Sequence, residues 1–128
     1  MSDTAIFELE TNVEREIIQE KLTYLWQKAC KGYKVDTWDG DSYGVKTIFC
    51  ELLYVFREPG EEEAIREVVD YLLSISLYNQ IYYYRCDEYI SEELKARSLT
   101  NITVDDLFTE QYRPSIGANI PQRFLIEG

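Results

Sequence analysis

At 128 residues, 45% apolar and 14% aromatic, the chain has material for one packed core and too little length for two. Its 13 Lys and Arg against 24 Asp and Glu leave a formal net charge of −11, a field that repels DNA, RNA and anionic lipid and attracts basic partners. It contains no histidine, which excludes Ser-His-Asp and Cys-His nucleophiles, a histidine general base and every His-ligated metal site.

Residues 1–10 read as an arm or a short strand, because Ile6, Phe7, Glu8, Leu9 and Glu10 alternate apolar and acidic toward the end. Thr11 and Glu14 have capping-box spacing. Val13, Ile17, Ile18, Leu22, Leu25, Trp26 and Ala29 then follow helical spacing, which predicts a helix over 12–31 ended by Gly32, with Lys28 and Lys31 in its last turn. Residues 33–44 read as a loop in which Asp41 or Ser42 caps the next helix. Val45, Ile48, Phe49, Leu52, Leu53 and Phe56 predict a second helix over 43–57, although Val45 to Cys50 is also rich in strand-formers. Pro59 and Gly60 end it.

A third helix is expected over 60–78. Glu61, Glu62 and Glu63 occupy its first turn, Glu62 and Arg66 have ion-pair spacing, and Ile65, Val68, Val69, Leu72, Leu73 and Leu77 form its stripe. Residues 81–97 read as a fourth helix, although Tyr82, Tyr83 and Tyr84 favour a strand by composition. Thr103 to Asp106 resembles another helix start. Residues 113–128 form an irregular tail bracketed by Pro114 and Pro121, in which Arg123 to Glu127 adds an edge strand or simply docks. The expected fold is therefore mainly α: one domain, residues 1–128, with a helical core over 11–112 built as a compact bundle of about four helices, with short strands allowed at its ends.

Cys30, Cys50 and Cys86 are odd in number, widely spaced and set in apolar stretches, which fits reduced buried thiols rather than disulfides or zinc ligands. The N-terminal residues show neither a basic segment nor a long apolar run, so a cytoplasmic protein without a membrane span is expected. The six glycines have no phosphate-loop spacing. Asp36, Asp39 and Asp41, with Ser42, are the best candidate for a cation site, but their spacing is not that of an EF-hand loop, and a turn with a helix cap is the plainer reading. No cofactor is expected.

Two features point to protein binding. The tyrosines at 78, 82, 83, 84 and 89 surround Arg85, and Tyr and Arg are the types enriched at interface hot spots. Trp38 lies among aspartates with Tyr33 and Tyr43 nearby. The candidate partner-binding residues are Trp38, Asp39, Asp41, Tyr82, Tyr83 and Asp87. In composition alone, an acidic chain without histidine resembles inhibitors and immunity proteins that cover the basic face of a nucleic-acid enzyme; no motif carries that resemblance. The leading expectation is a non-enzymatic module that binds a basic protein through an acidic, Tyr- and Trp-studded face. The alternatives are a helical structural or adaptor subunit acting through homo- or hetero-oligomers, such as a homodimer, and a carboxylate- or metal-dependent enzyme built on Asp36, Asp39, Asp41 and Glu51.

Overall fold

A computed structural model describes residues 4–28, 34–53, 60–85, 99–114 and 122–128. In chain order these form strand β1 (Thr4–Leu9), helix α1 (Arg15–Gln27), β2 (Val35–Ser42), β3 (Val45–Leu53), α2 (Glu61–Ile75), β4 (Gln80–Arg85), β5 (Thr100–Ile102), a 3-10 turn (Val104–Phe108) and β6 (Gln122–Glu127). The strands make one six-stranded sheet in the order β2-β3-β1-β4-β6-β5. All neighbours are antiparallel except β5 and β6, which run parallel.

The expected helical bundle is thus corrected to a mixed sheet with two helices. Residues 43–57 contain β3 rather than a helix, residues 33–44 contain β2 rather than a loop, and the start of 81–97 is β4. Residues 54–57 and 86–97, also placed in those helices, lie outside the described residues. The reason lies in burial on both faces. On β3, Ile48, Cys50 and Leu52 pack toward the helices while Phe49 packs on the opposite face, and all four are buried. A strand buried on both sides loses its polar–apolar alternation and shows a near-continuous apolar run, which also satisfies helical spacing. The tyrosines of β4 do the same: Tyr83 enters the helix-side core while Tyr82 and Tyr84 face the other way.

The two helices expected over 12–31 and 60–78 are present as the shorter α1 and α2. Ile18, Leu22, Leu25 and Trp26 bury the inner face of α1, and Ala64, Ile65, Val68, Val69 and Leu72 that of α2. Full burial of each such large side chain contributes about 1.5–3 kcal/mol. The Trp26 indole N–H donates to the Leu53 carbonyl (3.3 Å), tying α1 to β3. The capping box at Thr11 does not form. Its hydroxyl instead donates to the Ile75 carbonyl (2.7 Å), and Glu14 is the N-cap, with no side-chain cap. The box appears later, where Thr103 and Asp106 cap the 3-10 turn. Lys28 pairs with Glu67 (3.1 Å), and Arg66 reaches both Glu62 (3.2 Å) and Asp105 (2.6 Å). Lys31 and Gly32 lie outside the described residues.

The ends of the chain are structural rather than peripheral. The expected arm contains β1, an interior strand paired with β3 and β4, and the expected irregular tail contains β6, paired with β4 and β5. The first four strands and two helices run β-α-β-β-α-β, with β1 between β3 and β4 and β3 between β1 and β2. That is the split βαβ, or ferredoxin-like, arrangement, widened here by β6 and β5 beside β4. The helices cover one face of the sheet.

Candidate functional site

The face of the sheet away from the helices carries a buried polar cluster that sequence reading missed. Glu8 is wholly buried. Its Oε1 accepts the Tyr84 hydroxyl (2.5 Å), and its Oε2 accepts the hydroxyls of Thr47 (2.6 Å) and Ser42 (2.7 Å). The Tyr84 oxygen in turn accepts the Arg123 Nε–H (3.0 Å), so one hydroxyl bridges carboxylate and guanidinium. The guanidinium lies over the Tyr82 ring, 4.1 Å from its centroid. Burial, and then the bond to Glu8, hold the Tyr84 phenol far above its ordinary value, so it stays a neutral donor. A buried carboxylate is tolerable only with such a complete set of donors. The only sequence signals were an acid inside Ile6, Phe7, Glu8, Leu9 and an arginine beside Phe124, Leu125 and Ile126.

The cluster anchors the β2–β3 hairpin, since Ser42 ends β2 and Thr47 lies on β3. Tyr43 (φ 54°) and Gly44 (φ 80°) join the strands in a two-residue turn whose positive φ angles suit the right-handed twist of a hairpin. Asp41 accepts the Gly44 N–H (2.8 Å), so it caps this turn and not a helix. On the same face Phe49 lies against Gly40, which has no Cβ to obstruct it, and the Trp38 ring stacks on Phe49 with centroids 5.4 Å apart and planes 6° from parallel. Trp38 is 38% exposed, Tyr43 69% and Val45 44%. Asp36, Asp39 and Asp41 are exposed along the same strand.

The six candidate residues do not form one patch. Trp38, Asp39 and Asp41 share the exposed hairpin. Tyr82 is half-buried beneath Arg123. Tyr83 lies in the core, its hydroxyl donating to the Tyr112 carbonyl (2.9 Å). Asp87 lies outside the described residues. The pleat of β2 sets Asp36 on the Trp38 face and Asp39 and Asp41 on the other. Among the described residues, no three His, Cys, Asp or Glu side chains converge as metal ligands. Cys50 is buried, and burial pushes its thiol up to about 12, so it remains an uncharged core residue at neutral pH. Cys30 and Cys86 lie outside the described residues.

Glu51 lies opposite Asp36 across the strand pair. Burial first, and Asp36 second, hold its carboxyl above the ordinary value. The folded protein therefore binds this proton more tightly than the unfolded chain. The resulting stabilisation is present in acid and is lost as pH rises through the folded value. At neutral pH Glu51→Gln is expected to raise the urea midpoint, with the gain shrinking below about pH 4. An equal midpoint for both proteins at pH 7 would contradict this.

The class these features define is an acidic, widened ferredoxin-like sheet with an aromatic edge hairpin. Comparison of the chain with protein-family models, curated proteins and solved structures found no significant match. Among the described residues, no helix is long and apolar enough to cross a membrane. This fold hosts many unrelated activities and by itself selects none of them.

Proposed function

We propose that this protein is a non-enzymatic binding module whose β2–β3 hairpin docks on a basic protein. The observation that carries the reading is Trp38, a large exposed ring stacked on Phe49, with exposed Asp36 on its own face and exposed Asp39 and Asp41 on the other face of the same strand. A pre-ordered aromatic loses little entropy on binding and is a common hot spot, while surrounding carboxylates steer a cationic partner. Tyr43 and Val45 extend the apolar area at the hairpin tip.

The test is capture from native lysate by the immobilised protein at low and high salt. A basic protein held at low salt and released at high salt is expected. Trp38→Ala should weaken its capture about tenfold or more. Asp39→Asn with Asp41→Asn should slow association and flatten the salt dependence. If both variants capture the same protein as well as wild type, the hairpin is not the binding surface.

A further inference from the structure

The outer edge of β2 has a specific geometry. The Lys34 carbonyl accepts the Leu53 N–H (3.3 Å), which sets the hydrogen-bonding phase of the β2–β3 ladder. Alternate residues from Lys34 turn their backbone toward β3, so the backbones of Val35, Thr37, Asp39 and Asp41 turn outward. The Val35 carbonyl is taken by the Gln19 side chain (2.6 Å). The outward N–H and C=O of Thr37 and Asp39 bond to no other group among the described residues. β2 has eight residues and pairs only with β3 among the described strands, whereas the opposite edge, β5, has three.

We propose that β2 binds its partner by strand addition, pairing its outer edge at Thr37 and Asp39 with an extended cationic segment. The inference rests on the hairpin-binding reading and specifies its mode and ligand class. An added strand places its side chains about 4.5–5.5 Å from those of β2, on both faces. Lys or Arg at alternate positions then meets Asp39 and Asp41 on one face. The intervening residues lie beside Trp38, where an apolar or cationic side chain packs against the ring, and beside Asp36. Charge also selects against a second copy of this chain. Antiparallel self-pairing of β2 centred on Asp39 or Gly40 sets aspartates opposite one another, and like charges directly across a strand pair are destabilising. The carboxylates that guard this edge against self-association therefore admit a cationic strand.

The experiment uses the full chain and a nine-residue peptide of alternating Lys and Val. A second peptide has the same sequence with its five central amides N-methylated, which keeps the charge and removes backbone pairing. The plain peptide is expected to bind and to slow hydrogen exchange at the Thr37 and Asp39 amides at least tenfold. The N-methylated peptide should bind at least tenfold more weakly. Equal affinity for the two peptides, or binding without protection of those amides, overturns strand addition and leaves the hairpin a surface read through side chains alone. Failure of both peptides to bind also overturns it, while lysate capture decides the binding-module reading separately. Protection of those amides without peptide, together with a dimer in sedimentation, would make a second copy the occupant and overturn the cationic-ligand assignment.

Discussion

Replacing Glu8 with alanine is expected to cost about 3–5 kcal/mol of folding stability, the range for breaking a buried charged network on one side. The change removes the acceptor of three hydroxyls, from Ser42, Thr47 and Tyr84, in a place water does not reach. It also leaves the Tyr84–Arg123 bond without the carboxylate that it serves. Such a loss is a large share of the roughly 5–15 kcal/mol that holds a small domain together. Urea unfolding monitored by circular dichroism measures it. Tyr84→Phe should cost less, because Glu8 then keeps two of its three donors. The double variant should fall short of the sum of the two losses by about 1 kcal/mol or more, since the groups share one network. A Glu8→Ala loss under 1 kcal/mol, or strict additivity, would refute the network.

Gly40→Val is expected to cost about 1–3 kcal/mol and to weaken partner capture with it. A Cβ at this position would collide with the Phe49 ring and lie 2.9 Å from the Thr47 hydroxyl. The ring must move, and with it the surface on which Trp38 stacks. Stability is read from the urea midpoint. The Trp38 platform is read from iodide quenching, because Trp26 is fully buried and only Trp38 is reachable. Quenching should rise and capture should fall beyond what the stability loss explains. Unchanged quenching in a folded Gly40→Val protein would show that Phe49 does not position Trp38.

The two helices were legible for a local reason. The stripes of α1 and α2 each bury one side, so helical spacing stood out against a polar face. Glu62 and Arg66 met as their spacing implied. The turn at Tyr43 and Gly44 lacked the Asn-Gly or Asp-Gly signal of a tight hairpin, while Asp39-Gly40, a dipeptide that favours turns, lies where β2 runs straight through. At that glycine the requirement was long-range, set by a phenylalanine on the neighbouring strand.

The site divides the same way. Trp38, Asp39 and Asp41 stood out as an aromatic among acids, a pattern that needs only neighbouring residues. Tyr83 belonged to a tyrosine run whose strand phase sends it inward, and a helical reading could not show that. Glu8, Thr47, Tyr84 and Arg123 come from four strands, and the separation from Glu8 to Tyr84 alone is 76 residues.

What the sequence by itself determined was the acidic field, the absence of histidine chemistry and the two amphipathic helices, because each depends on composition or on contacts within a few residues. The tertiary structure decided the sheet, the buried Glu8 network and the place of β2 as the outer strand of the described sheet. Strand pairing and burial on both faces join residues distant in the chain, and no local periodicity encodes which strands become neighbours.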